Sequence, residues 1–541
     1  MTQSYDVVFV GSGINSLVGA ALLAQAGKRV VILERNDYLG GAIKTAEITQ
    51  PGFVHEVFSS WHPLFVSSPA YEQLKPELTA RGLEYLNTEI PTATALPDGS
   101  SAFLTTSHEQ NIVEFARHAS ADGDAWRQTV ADFMPNADLA FGLLGTELWS
   151  RDGFALATKA LRRLGRYGTV RFTGELLSSC RDWVTEAFDA PESHALLAPW
   201  VLHTGLGPDA ASSGFMAKVI AIAIEMGGMP APRGGGKALV DALVDIVIDA
   251  GGAAEIETDV EEIVVSAGQA IGVRCRGNTV VRANEAVVAN VTPTQLYERL
   301  LSGAPVPSAA RADARRFRYG RAEMQIHMAL DEPPTWAGDE RLADTAIVHV
   351  TPGLNGVSRA VNEAERGLLP VDATIVVGQP LVVDPQRAPD GKSILWLQLQ
   401  ELPSRPIGDA ADELEVGDGT WTEELREAYA DRIQASLASR ITNLDSAVLE
   451  RVVLSPADIE AANINLVGGD IYSGSCSLDQ NLLWRPKPGL PGHRTPVSNL
   501  FHIGASTHPG PGLGAGSGTM VARELLKGGV VDRALGWLRA R

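Results

Sequence analysis

Gly11, Gly13 and Ser16 stand in the pattern G-x-G-x-x-S, with Ser12, Ile14 and Asn15 between them, and Glu34 follows Gly13 by 21 positions. Residues of these types at this spacing can hold a pyrophosphate and a ribose. Gly11 permits a tight turn. Gly13 lets backbone N–H groups approach an anion at a helix N-terminus, where the helix dipole favours negative charge. Ser16 takes the place of a third glycine and is still small enough for helix and strand to lie close. Glu34, with Arg35 beside it, is placed to accept hydrogen bonds from ribose hydroxyls. Its charge would repel a 2′-phosphate, which argues against NADP.

Such a turn needs a strand before it and a helix after it. The apolar run Val7 to Val10 reads as the strand, Leu17 to Gln25 as the helix, and Val30 to Leu33 as a second buried strand closing on Glu34. The whole is a β-turn-α-β unit for the ADP part of a dinucleotide, which by itself does not separate NAD from FAD. Gly40-Gly41 comes next, then Ala42; the glycine pair resembles the stretch that follows the ribose acid in the amine-oxidase and phytoene-desaturase group of flavoproteins, which implies that backbone without a Cβ presses there on the cofactor. A second strand-turn-helix lies near the C-terminus: Leu500 to Ile503, the glycine-rich run Gly504 to Gly518, which includes Gly512-Leu513-Gly514-Ala515, and a helix from Thr519 to Leu526.

A third organising stretch lies between them. Arg233-Gly234-Gly235-Gly236-Lys237 precedes an amphipathic helix with Leu239, Leu243, Ile246 and Val247 at helical spacing. Its glycines read as a close backbone approach to cofactor or substrate. Strands are expected at Glu255 to Glu257, at Val260 with Ile263 to Val265, in a hairpin turning at Gly277-Asn278, and at Glu285 to Ala289, ending at Asn290.

The residues from about 107 to 226 have helical periodicity, with examples at Gly123 to Phe133, Leu156 to Leu164 and Thr173 to Phe188. Trp200, His203, Gly205 and Gly207 lie in this part, as cavity lining or as core and cap residues. From about 315 to 455 the pattern is that of strands. Met324, Ile326 and Met328 share one face and Glu323, Gln325 and His327 the other, while Trp396, Gln398 and Gln400 share a face that lines a pocket or meets solvent. A long helix is expected from Trp421 to Ile441. His55 and His62, among Phe58, Trp61 and Phe65, are candidates for a covalent cofactor anchor or proton transfer, against plain packing.

A chain of 541 residues is too long for one core. Apolar content of 45% and charged content of 20% are those of a globular protein, and a net charge of −20 argues against nucleic acid and against electrostatic docking on anionic lipid. Cys180, Cys275 and Cys476 lie far apart with no C-x-x-C pair, so no disulfide framework, metal site or dithiol centre is expected, and a cytoplasmic setting fits. No basic n-region and no run of 18 apolar residues is present, so neither a signal peptide nor a spanning helix is expected; peripheral membrane contact stays open.

On Gly11 to Thr45, Gly234 to Asn290 and Ser477 to Ala522, the chain resembles the phytoene desaturase-like flavoproteins, and within them the branch of the pyridine nucleotide-disulphide oxidoreductase domain proteins. Ser16 for glycine, and Ala42 where many amine oxidases have arginine, are departures. The resemblance implies FAD and an α/β fold: a Rossmann-type FAD-binding domain of glutathione reductase-like kind, interleaved with an α+β substrate domain that holds a mixed sheet and a helical lobe. The expected division is 1–100, 225–315 and 460–541 for the FAD domain and 101–224 and 316–459 for the substrate domain. The resemblance further implies that the backbone at Val260 clamps the adenine. It also implies that the turn Gly504 to Ala515 lies against the flavin side of the cofactor, with Gly512 to Ala515 opening a helix aimed at the flavin N1/O2 edge.

The expected function is dehydrogenation or desaturation, with hydride passing from a C–H bond of an apolar small molecule to flavin. A redox-neutral flavin isomerase and a flavin-binding scaffold without turnover are the alternatives. The catalytic residues are unknown, and oxygen, a quinone or another protein remain as electron acceptors.

Overall fold

The computed structural model describes residues 3–487, 489 and 492–539, without the side chains of residues 3 and 528–539. The last residues of the third expected piece, 540 and 541, lie outside the described residues.

Two seven-stranded sheets organise the chain. In the first, the strands run in the order Val260–Ser266, Gln269–Cys275, Val280–Asn290, Gln3–Val10, Val30–Leu33 and Ala253–Glu255, and Leu500–Ile503 also pairs with Val280–Asn290. The strand Val280–Asn290 is the hinge of this sheet. Its first residues pair antiparallel with Gly272 to Arg274, and its last four pair parallel with Leu500 to Ile503. Its length pairs parallel with Gln3–Val10. Val7, Val8, Phe9 and Val30 to Leu33 are all buried, as central strands covered on both faces must be. The helix Ile14–Gln25 covers one face and packs against both the C-terminal helix Gly516–Arg539 and Lys237–Asp249.

The second sheet runs Val448–Leu454, Ala322–Leu330, Ser393–Leu402, Ile375–Gly378, Ile347–Val350, Thr92–Ala95 and Ser101–Leu104. It is antiparallel except where Ile347–Val350 meets Thr92–Ala95. Alternation sets its two faces. Met324, Ile326, Leu395, Leu397 and Leu399 enter the core beneath the helix Glu423–Ala438, and the intervening residues face the other way. A helical lobe packs against that other side through Trp61, Ile347 and Trp396.

The expected boundary at residue 100 falls inside the hairpin of Thr92–Ala95 and Ser101–Leu104, which belongs to the second sheet. Local chemistry moves other boundaries too. Thr173 to Phe188 is broken: Arg151–Leu177 ends at extended Ser178, and the Ser179 hydroxyl caps a new helix, Cys180–Ala187. Thr422 caps the long helix, which spans Glu423–Ala438 rather than Trp421 to Ile441. Glu257 lies at φ 51°, outside the paired segment Ala253–Glu255.

Candidate cofactor and substrate cleft

Asn290 explains the glycines. A Cβ on Gly11 would stand 3.1 Å from its carbonyl oxygen, and one on Gly13 3.1 Å from its Nδ2. One on Gly504 would stand 2.4 Å from its Oδ1. The Asn290 amide donates to Ser16 Oγ at 3.0 Å, so the serine in place of glycine ties the turn to the sheet. Both ends of the chain therefore close on the residue where the hinge strand stops.

Glu34 is buried at the tip of its strand. One carboxylate oxygen accepts Ser12 N–H at 2.9 Å and Ser12 Oγ–H at 2.7 Å; the other accepts Asn36 N–H at 3.0 Å. Gly40 N–H donates to Ser12 Oγ at 3.0 Å, and a Cβ on Gly41 would sit 3.0 Å from Gly13 Cα. The Gly40-Gly41 pair thus braces the turn and the acid at once.

One open cleft runs from this turn to the second sheet. Gly11, Gly13, Ile14, Asn15, Glu34 and Arg35 line it at one end, joined by Gly40, Gly41 and Ala42. Val260 lines it beside Thr258 and Arg299, and Gly504, Gly512 and Leu513 line it from the C-terminal turn. Ser16, Gly514 and Ala515 do not reach the wall; Ser16 and Ala515 are buried behind it. The final helix starts at Gly516, not at Gly512, because Ala515 lies at φ 55°. Its first turn is tied to the other turn: Ser517 Oγ–H and Gly518 N–H both donate to Asn15 Oδ1, at 2.8 and 3.2 Å.

The triple glycine serves a different purpose from the one expected. Gly236 N–H donates to Glu56 at 2.8 Å and Gly234 N–H to Asp384 at 2.7 Å, and both carboxylates meet buried Arg387. It approaches this ion cluster and not the cleft. His55 bonds Thr49 and His62 bonds Tyr85; both are buried and off the wall. Burial holds their pKa values near 4 and 3, so both rings are neutral at neutral pH. His203 does line the cleft and bonds His349 at 3.0 Å, while Gly205 and Gly207 pack on Tyr472 and Val361.

The face Trp396, Gln398 and Gln400 lines the cleft, opposite Glu323 and Gln325. In the sequence Glu323 stands out only as one side of an alternating strand. Its carboxyl is fully buried and meets the amides of Gln398, at 2.8 Å, and Gln325. Burial pushes its pKa up to about 8, so it carries a proton at neutral pH. That proton needs an acceptor. Gln325 Oε1, buried without a donor, supplies one when the amide is turned over.

The folded state binds the Glu323 proton more tightly than the unfolded chain. Its contribution to stability is thus full below the ordinary glutamate pKa and is lost as pH rises toward 8. Urea titrations at pH 5 and 8 should show wild type losing more stability across that window than Glu323→Gln. Glu401, raised to about 7, adds the same trend to both and cancels in the comparison.

The cleft suits FAD on two observations. Glycines crowd one end, where side chains would fill a cradle for backbone N–H groups. At the other end, buried Ser60 Oγ, Trp61 Nε1 and Gln400 Oε1 lack partners. Glu34→Ala should weaken FAD binding by about 1.5–3 kcal/mol, the range for hydrogen bonds to charged groups, in apoprotein titrations. Unchanged affinity would remove the ribose assignment.

A family model described as an NAD(P)-binding Rossmann-like domain matches residues 10–75. The chain is 24% identical to a limonene dehydrogenase subunit of Castellaniella defragrans, covering 96% of this chain and 94% of that one. It is 26% identical to pyridine nucleotide-disulfide oxidoreductase domain-containing protein 2 of Rattus norvegicus, over 97% and 94%. It is 24% identical to phytoene desaturase of Fusarium fujikuroi, over 96% and 89%. Among solved structures, a putrescine oxidase redesigned in its cofactor binding superposes with a TM-score of 0.62 at 16% identity, covering 98% of this chain and 100% of that one, a likeness of fold.

Proposed function

We propose that this chain, a phytoene desaturase-like FAD-dependent oxidoreductase, dehydrogenates an organic, apolar substrate held at the tryptophan end of its cleft. Bound FAD supplies the hydride acceptor that breaking a C–H bond requires. The observation that carries the reading is the continuity of the cleft. The glycine turns and Glu34 occupy one end; Trp61, Met229, Ile347 and Trp396 offer apolar surface at the other. Two relatives named for limonene and phytoene support an apolar substrate.

In this reading Glu34 fixes the ribose, and the N–H groups around Gly13 and Gly512 face the pyrophosphate and flavin side. Trp61 and Trp396, packed edge to face with centroids 5.5 Å apart, exclude water beside the substrate. The FAD-binding part takes residues from the three separated pieces, with its first boundary drawn before Thr92 instead of at 100. No helix among the described residues is long and apolar enough to cross a membrane. Three free, buried cysteines suit a reducing, cytoplasmic setting.

The test is an anaerobic screen of apolar substrates against the purified protein. A substrate should bleach the flavin and leave a product lighter by two hydrogens. A product of unchanged mass would make the protein an isomerase, and a flavin that no substrate reduces would leave a binding protein.

A further inference from the structure

Gln398 and Gln400 stand two apart on Ser393–Leu402, so both side chains leave the same face of the second sheet, and both line the cleft. They are 7% and 4% exposed. What each amide donates to fixes which way round it lies. Gln400 Nε2–H donates to the Tyr472 hydroxyl at 2.8 Å, and that hydroxyl donates its own proton to the Leu202 carbonyl at 2.6 Å. Turning Gln400 over would set two acceptors against Tyr472 with one proton between them. Its Oε1 is therefore the atom left over, buried without a partner. Gln398 Nε2–H donates to Glu323 at 2.8 Å, which leaves Gln398 Oε1 without a hydrogen bond among the described residues. Two carbonyl oxygens thus remain as acceptors at the substrate end.

The charges around them narrow what can donate. Glu323, beside Gln398, carries a proton at neutral pH and hands it to Gln325. Asp470 accepts the N–H groups of Gly320, Tyr472 and Gly474 and does not line the cleft. The charged lining residues Glu34, Arg35, Asp259 and Arg299 belong to the nucleotide end. An ammonium group would find no counterion here, and a carboxylate would meet acceptors; burying either charge unpaired is costly. A ketone or an ether brings lone pairs only. A neutral hydroxyl brings the donor that the two carbonyls lack.

We propose that the substrate is an apolar alcohol, whose hydroxyl donates to the carbonyl pair of Gln398 and Gln400. The inference rests on the reading that the tryptophan end of the cleft holds the substrate. Trp396, two residues before Gln398 on the same face, then packs on the hydrocarbon body beside the hydroxyl. A buried acceptor left unmatched loses more than a matched one gains, so the site rejects analogues without a donor.

The test is binding of molecules that share one saturated ring skeleton: menthol, a neutral donor; menthone, an acceptor only; and menthylamine, a cation. Each is titrated without oxygen into the full-length FAD-bound protein, and the shift in absorbance of the oxidised flavin reports affinity. Menthol should bind about tenfold more tightly than menthone, the effect of one hydrogen bond to an otherwise unmatched buried acceptor. Gln398→Met with Gln400→Met keeps the side-chain length and removes both carbonyls, and should bring the two affinities within about twofold. Gln400→Met alone, which leaves the bond from Gln398 to Glu323 in place, should lower the preference to about threefold. Retained FAD and an unchanged melting temperature show that the variants are folded, and a merely structural role would weaken menthol and menthone alike. Menthol that does not bind or binds no better than menthone, menthylamine that binds more tightly than menthol, or variants that keep the preference would overturn the proposal. The titration needs no turnover. A menthol preference in a protein whose flavin no substrate reduces would keep this site and remove the dehydrogenase reading. Flavin bleached by substrates in a protein without the preference would do the reverse.

Discussion

Gly518→Ala should pull apart the two helices that frame the cleft and strip the protein of FAD. A Cβ at this position would lie 1.8 Å from the carbonyl oxygen of Asn15, a backbone atom at the start of the helix Ile14–Gln25. The close approach is mutual, since a Cβ on Gly19 would stand 3.1 Å from the Gly518 carbonyl oxygen. No rotamer change relieves backbone against Cβ, so the helices must separate. Separation also breaks the bonds from Ser517 and Gly518 to Asn15. Overpacking usually costs about 1–3 kcal/mol, and a clash with fixed backbone belongs at the upper end. Gly174→Ala is the control: it lies in a helix with nothing within 4 Å of the added carbon, and should leave stability equal or slightly higher. Melting temperature and FAD content of the two variants decide the matter. A Gly518→Ala protein with normal FAD content would show that this crossing does not hold the cleft.

Arg387→Ala should be the other severe change. The guanidinium is 1% exposed and meets Glu56 at 3.1 Å and Asp384 at 3.4 Å. It also donates to the Pro232 carbonyl at 2.9 Å. Through Glu56 it holds Gly236 and Thr45, so it links the triple-glycine turn to the segment after Gly40-Gly41. Removing one member of a buried ion pair leaves the other charge uncompensated, at a cost of about 3–5 kcal/mol. Urea unfolding measures it. A loss below about 1 kcal/mol would mean that Glu56 is already protonated, the direction in which burial pushes its pKa.

The cofactor end of the cleft was legible in the sequence because backbone conformation there is dictated by residue type. Gly11 to Ser16, Glu34 and Gly40-Gly41 announce a turn, an acid and a close approach within 31 positions. The partner that demands those glycines, Asn290, could be read only as the end of a strand, because its contacts with Gly13 and Ser16 span more than 270 residues. Alternation in Ala322–Leu330 and Ser393–Leu402 separates the two faces of the second sheet. Which face met the cleft depended on the lobe that packs there, and periodicity carries no such information. The triple glycine misled because its close approach is real but its target, Glu56, is set by tertiary structure. The hairpin Thr92–Ala95 with Ser101–Leu104 was placed with its sequence neighbours, although its pairing partner is Ile347–Val350.

What the cleft holds can be measured directly. Purified protein should be denatured, its released small molecules identified by mass, and the flavin counted against protein. One FAD per chain, absent or greatly reduced in Gly518→Ala, is the expected result. A tightly bound NAD with no flavin, or no nucleotide cofactor at all from folded protein, would contradict it.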